Sequence, residues 1–153
     1  MFKYQEQYNR MKRWYDRLLL LQNGRSHDMS TDNYLDEIYA FFMNCYHLKD
    51  WIKHDASVPP PVQQAVELHI NSSVPLMLCA DICNSLKHLA LSKPRSSENP
   101  VFGKQKIALT VGSAPTTISL KCEIDTTSGT IDAFGLATQS VNSWDAFFIA
   151  NGL

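Results

Sequence analysis

Hydrophobic side chains recur at helical spacing through the first third of the chain. Residues 3–22 contain strong helix formers, and Asn23-Gly24 then provides a stop, since glycine readily takes the left-handed conformation that ends helices. A second helical pattern begins after residues 30–32, a Ser-Thr-Asp stretch that supplies an N-cap and an acidic first turn. This pattern continues to Lys53. The sequence therefore predicts two long helices.

Prolines mark the beginning of two further helices. Those at 59–61 interrupt the helical pattern, but the last of them can occupy the first turn of a helix, so residues 61–70 are predicted to form a third helix. Ser72 or Ser73 caps a fourth, which carries a proline in its first turn and runs until another proline follows Lys93.

The period of the pattern changes after these helices. Residues 95–104 are rich in Ser, Pro, Asn and Glu, which indicates an exposed loop. Hydrophobic and polar residues then alternate in 106–111 and 116–124, as they do in strands with one buried face. Turn residues at 112–115 and 126–129 follow these two strands. The pattern predicts two or three antiparallel strands.

Helical spacing returns after residue 131 and ends at Gly152. Together the segments predict a mainly helical α+β fold, with a four-helix bundle-like core over about 3–93, a small antiparallel β-meander over about 105–131 and a C-terminal helix that closes the chain at about 151. A meander of this size is not stable alone, so we expect it to pack on the helices. The 153 residues fit a single domain with an ordinary core.

Composition narrows the class of protein. With 44% hydrophobic and 19% charged residues, the chain is typical of ordered globular proteins. Fourteen basic and 15 acidic residues give a formal net charge of −1, so any binding of nucleic acid requires a local basic patch. The first helix has a local excess of basic residues, Arg10, Lys12, Arg13 and Arg17. Acidic and aromatic residues lie between them, so we interpret this excess as a solvated helix face.

The four cysteines predict reduced thiols. The four are Cys45, Cys79, Cys83 and Cys122, and they form no C-x-x-C pair. Three of them lie in apolar helical stretches, where a thiol packs as a small hydrophobic group. No charged and then apolar leader is recognisable, and the apolar run at 18–21 is far shorter than the ~20 residues of a membrane span. We therefore expect a cytoplasmic protein that has no membrane partner.

The most distinctive chemistry lies in two helical segments, residues 45–51 (CYHLKDW) and residues 81–88 (DICNSLKH). On a helical wheel, the polar side chains of each segment gather opposite the apolar side of their helix. If these polar sides meet across a cleft, they provide acid, base and hydrogen-bonding groups for a catalytic site. The six candidate residues are His47, Asp50, Asp81, Asn84, Lys87 and His88.

Other interpretations fit the same spacing. A polar side opposite an apolar stripe is the ordinary pattern of a surface helix. Trp51 lies beside the polar side of its helix, which favours a helix contacted from both sides whose polar groups form a buried hydrogen-bond network. A metal site from His47, Asp50, His54 and His88 has no H-E-x-x-H or Cys–His spacing to support it. No metal or other cofactor is expected.

The fourth helix resembles the signature helix of the HEPN superfamily, small helical-bundle domains found in prokaryotic toxin–antitoxin, abortive-infection and CRISPR-linked proteins. The matching stretch is residues 83–88 (CNSLKH), in which Asn84 and His88 stand at the family's spacing. Many members cleave RNA without a metal through an Arg and a following His, but Cys83 holds the place of that Arg here. The two segments also resemble a recurrent pattern of uncharacterised bacterial proteins with helices followed by strands.

The resemblance implies an RNA-directed role in defence or in a toxin–antitoxin system, with a groove formed in a homodimer. It also implies His88 as general base and Lys87 as a phosphate contact, although a lysine lacks the bidentate geometry of the family's guanidinium. The alternative is a noncatalytic module that binds a partner protein and whose His, Asp and Asn cluster is a structural network. A metal-dependent hydrolase is a weaker alternative. The sequence leaves open whether the protein is an enzyme.

Overall fold

The computed structural model describes residues 3–88, 92–112 and 115–153, and for residue 88 it describes the backbone. These residues form five helices and four strands, which confirms the mainly helical α+β fold. In chain order they are α1 (Tyr4–Asn23), β1 (Arg25–Ser26), α2 (Thr31–His54), α3 (Pro60–Asn71), α4 (Val74–His88), β2 (Val101–Thr110), β3 (Thr117–Thr126), β4 (Gly129–Asp132) and α5 (Ala133–Asn151).

Four of the helix ends lie at residues that the sequence predicted for them. Gly24, with a positive φ of 99°, follows α1, and the side chain of Ser30 caps α2 by accepting a hydrogen bond from the backbone N–H of Asn33. Ser73 precedes α4, and its carbonyl accepts the first hydrogen bond of that helix. Gly152 closes α5 in the left-handed conformation. The predicted end of α4 lies at residues 89–91, outside the described residues.

The sheet is built around β3, which pairs antiparallel with β1, β2 and β4. Two features differ from the sequence prediction. Strand β1 was not predicted, because its two residues are too few to show an alternating pattern. Strand β2 begins at Val101, inside the predicted loop, where the Phe102 ring packs edge-on against Tyr39 of α2 with ring centroids 4.7 Å apart. Tertiary packing therefore extends this strand beyond its alternating pattern. The predicted turn at 112–115 falls partly outside the described residues.

One cluster of buried hydrophobic side chains joins all five helices to the sheet. Strand β3 contributes four alternating positions, Ile118, Leu120, Cys122 and Ile124, and its Lys121 is exposed to solvent. The strand packs on α1 and α5, which confirms that the meander is covered by helices. All four cysteines are free and buried, as small hydrophobic groups are.

None of the helices in the described ranges combines the length and apolar character needed to cross a membrane.

Candidate functional site

The two polar segments line one surface groove between α2 and α4. We call it the α2–α4 groove, and its volume is about 360 Å³. Helix α2 contributes Met43, Tyr46, His47, Lys49 and Asp50, and α4 contributes Cys83, Asn84, Leu86 and Lys87. Four of the six candidate residues, His47, Asp50, Asn84 and Lys87, are therefore brought together.

Helical periodicity and packing between the two helices explain this placement. On α2, Cys45, Leu48 and Ile52 are buried, which turns His47 and Asp50 outward to solvent. Where the helices meet, the Cys79 thiol donates a hydrogen bond to the carbonyl of Phe42 at 3.4 Å. Asn84 and Lys87, three residues apart on α4, then lie on the side that faces the groove.

A thiol and an imidazole meet inside the groove. The Sγ of Cys83 lies 3.8 Å from Nε2 of His47. Burial raises the pKa of Cys83 to about 11, because the nearby Lys87 and Lys49 only partly offset the desolvation of a thiolate. Cys83 is therefore a protonated thiol near neutral pH and not an activated nucleophile, which requires a lowered pKa.

Two lysines give the groove positive charge. The Nζ of Lys49 lies 3.9 Å from a carboxylate oxygen of Asp50 and 4.6 Å from the centroid of the Tyr46 ring. Lys87 is exposed and forms no ion pair within the part of the chain that the structure describes. A ligand can therefore reach the ammonium group of Lys87 directly.

Asp81 does not line the groove. Its side chain is 1% exposed and accepts hydrogen bonds from the backbone N–H groups of Arg95 and Ser96, at 2.6 and 2.7 Å, and from the Ser96 hydroxyl at 2.6 Å. The expectation that Asp81 faces His47 and Asp50 is thus wrong. The helical wheel placed it on a polar side, but residues 95–96 cover that side of α4.

His88 is the last residue of α4, and its side chain lies outside the described part of the structure. Its role as general base stays a prediction. His54 is occupied at the end of α2, where its Nδ1 lies 2.7 Å from the carbonyl oxygen of Asp50. Among the described residues, no group of three or more His, Cys, Asp or Glu side chains is placed to hold a metal ion.

Trp51 lies on α2 next to Asp50 and is half-buried, as expected for a helix contacted from more than one side. The guanidinium of Arg10 on α1 lies 5.4 Å from the centroid of the Trp51 ring. Arg10 is thus partly packed, whereas Arg17, whose guanidinium pairs with the buried Glu37 at 3.1 Å, keeps a side chain that is 53% exposed. Arg13 and Arg17 are exposed, as expected for a solvated basic face on α1, whereas Arg10 is partly covered by its contact with Trp51.

Next to the groove lies a group of charges that the sequence analysis missed. Three cations surround one carboxylate: Nζ of Lys49 at 3.2 Å, Nζ of Lys53 at 3.1 Å and the guanidinium of Arg95 at 3.0 Å from the oxygens of Glu67. We call these four residues the Glu67 cluster. They come from α2, α3 and the segment after α4, so no local spacing could have indicated them.

The three cations hold Glu67 ionised. Burial alone would raise the pKa of Glu67, but hydrogen bonds from Arg95, Lys53 and Lys49 outweigh it and lower the pKa to about 2. Burial would lower the pKa of Lys49, and its contacts with Tyr46 and Glu67 raise it above the ordinary value. Lys49 belongs to both the groove and the Glu67 cluster, and the hydroxyl of Tyr46 in the groove lies 3.5 Å from the guanidinium of Arg95, so the groove and the cluster adjoin.

Comparison of the chain with protein-family models, with curated proteins and with solved structures gives no match.

Proposed function

We propose that the protein binds RNA through the α2–α4 groove, in a role in defence or in a toxin–antitoxin system. The observation that supports this is that His47, Asn84 and Lys87 line one groove. A lysine ammonium is a common phosphate contact, an amide donates and accepts hydrogen bonds, and an imidazole can exchange a proton near neutral pH. The choice of RNA over other phosphate ligands comes from the resemblance to the HEPN superfamily.

Local charge is the physical basis for binding. The chain as a whole has a formal net charge of −1, so binding must depend on positive side chains that are grouped on one surface. Lys87 and Lys49 provide such a group in the groove, opposed by Asp50. We expect affinity to fall as salt rises, with a slope that reflects only a few phosphate contacts.

Cleavage of RNA is a separate step of the proposal. Cys83 holds the place of the family's Arg, and its protonated thiol carries no charge to stabilise a phosphate. In a cleavage reaction, the resemblance implies that His88 acts as the general base and that Lys87 contacts the phosphate. Loss of RNA cleavage in His88→Ala, with the affinity for RNA retained, is the outcome that assigns this reaction to the protein.

A noncatalytic interaction module is the second candidate function, and the hydrogen bonds of Asp81 favour it. The buried carboxylate ties residues 95–96 to α4, which is a structural role for one of the six candidate residues. The two functions differ in what Lys87→Ala does: the interaction module predicts no change in RNA binding.

Assembly and location complete the proposal. A homodimer and a cytoplasmic location are expected from the resemblance and from the sequence, respectively. Light scattering on the purified protein tests the first by its mass, and a monomer at all concentrations would contradict it.

The proposed RNA binding is tested by fluorescence anisotropy with a short single-stranded RNA. We expect Lys87→Ala to weaken binding about fivefold at low salt, because one phosphate contact is lost. Lys121→Ala is the matched control, since Lys121 is exposed on the outer face of β3 and should leave the affinity unchanged. Equal affinities of the two variants and the parent protein would contradict the proposal.

A further inference from the structure

The Glu67 cluster concentrates cations beyond what its single carboxylate neutralises. Lys49, Lys53 and Arg95 each lie within 3.2 Å of a Glu67 oxygen. Even with Asp50, which lies 3.9 Å from Lys49, the positive charges outnumber the negative ones. An anion that approaches this surface therefore meets net attraction.

The cations can be reached from solvent. The side chains of Lys53 and Arg95 are 36% and 27% exposed, and Glu67 itself is 35% exposed. Lys49 is more enclosed but lines the α2–α4 groove, where Tyr46 lies beside it. Lys49 thus joins the groove, which Lys87 also lines, to the Glu67 cluster.

For Arg95 and Lys49, Glu67 is not the only contact that holds the side chain in place. The backbone N–H of Arg95 donates to Asp81, and the guanidinium of Arg95 donates to the side-chain oxygens of Asn71 and Tyr46 at 3.0 and 3.5 Å. Lys49 keeps its contact with the Tyr46 ring. Arg95 and Lys49 therefore keep other partners if the Glu67 carboxylate moves aside.

We propose that Glu67 is an internal counter-anion that an RNA phosphate displaces from Lys49, Lys53 and Arg95. The inference rests on the proposed function and extends its site from the groove to the Glu67 cluster. The carboxylate occupies the position where a phosphate would accept hydrogen bonds from the three cations, so it lowers the affinity of the free protein for RNA. Displacement exchanges one set of charge-assisted hydrogen bonds for another.

Glu67→Gln tests this directly. Glutamine has the size of glutamate and keeps one acceptor oxygen, but it removes the competing charge. We expect it to bind a short single-stranded RNA about three- to tenfold more tightly at low salt, because no carboxylate then competes with the phosphate for the three cations. An unchanged or weaker affinity would overturn the inference.

Glu123→Gln is the matched control. Glu123 on β3 pairs with Lys106 at 3.6 Å and is 31% exposed, close to the exposure of Glu67, but it lies on the sheet. This control should leave the affinity for RNA unchanged. Equal tightening in both variants would show a general effect of net charge and would also overturn the inference.

Lys53→Ala gives an independent outcome if Glu67→Gln proves unstable in thermal unfolding. It removes one proposed phosphate contact and should weaken RNA binding several-fold relative to Lys121→Ala, and no change would overturn the inference. The proposed function fails separately, when Lys87→Ala leaves RNA binding unchanged. Tighter binding by Glu67→Gln together with an unaffected Lys87→Ala would place RNA on the cluster alone, which supports the inference and contradicts the groove.

Discussion

The Sγ of Cys83 lies 3.8 Å from Nε2 of His47, where both side chains line the α2–α4 groove. In the proposed resemblance to the HEPN superfamily, this thiol takes the place of an Arg, so the groove has a neutral group where the family has a cation. The contact leaves His47 as the exposed titratable partner of the pair. The chemistry of the groove therefore depends on whether the thiol is inert.

We predict that the thiols of the folded protein react slowly with a disulfide reagent near neutral pH. Burial raises the pKa of both Cys83 and Cys122 to about 11, so their thiolate fractions stay small until strongly alkaline pH. Absorbance of the released thiol gives the rate. Protein unfolded in guanidinium is the control and should react fast, and a fast-reacting Cys83 in the folded protein, identified with Cys83→Ser, would contradict this account.

The hydrogen bonds of Asp81 predict a large effect on stability. Asp81→Ala leaves the N–H groups of Arg95 and Ser96 without their buried acceptor, so we expect the free energy of unfolding to fall by about 2–4 kcal/mol. Urea unfolding measures this change. Asp50→Ala removes an exposed carboxylate from α2 and should lower the free energy of unfolding by less than about 0.5 kcal/mol. Similar losses in the two variants would contradict the assignment of Asp81 as a structural residue.

The contrast between Asp50 and Asp81 shows how far the sequence predicts the site. The position of His47 and Asp50 follows from local periodicity, because neighbouring positions of α2 pack into the core. Asp81 has a similar pattern on its helix, but residues 95–96 fold back over it, and a helical wheel contains no information about such distant contacts.

The fold shows the same difference between local signals, which the sequence reveals, and contacts between distant residues, which it does not. The caps at Gly24, Ser30 and Gly152 are local signals, so the helix ends were predictable. Strand β1 forms only because β3 is present to pair with it, and the Glu67 cluster joins three elements far apart in the chain. Such features require the tertiary structure.

Glu67 predicts a specific dependence of stability on pH. Its pKa is lowered from an ordinary 4.5 to about 2 in the folded protein, so its contribution to stability is present above pH 4.5 and is lost as pH falls towards 2. The urea midpoint of the parent protein should therefore exceed that of Glu67→Gln near neutral pH and approach it in acid. A difference between the two midpoints that does not shrink in acid would contradict the ion pairs of the cluster.

Adjacent positions of β3 predict opposite effects on stability. Leu120 is buried under the helices, so Leu120→Ala should lower the free energy of unfolding by about 2–5 kcal/mol. Lys121 is exposed on the other face, so Lys121→Ala should change it by less than about 0.5 kcal/mol. Urea unfolding of both variants checks the packing of the sheet on the helices, and a reversed order would contradict it.

The central claim, that RNA binds in the α2–α4 groove, is tested most directly by recording amide NMR spectra during titration with a short single-stranded RNA. We predict that the amide signals of residues 46–50 and 83–87 shift together, while those around Lys121 on the outer face of β3 stay in place. Shifts confined to α1, or no shifts at RNA concentrations that saturate binding, would contradict the claim.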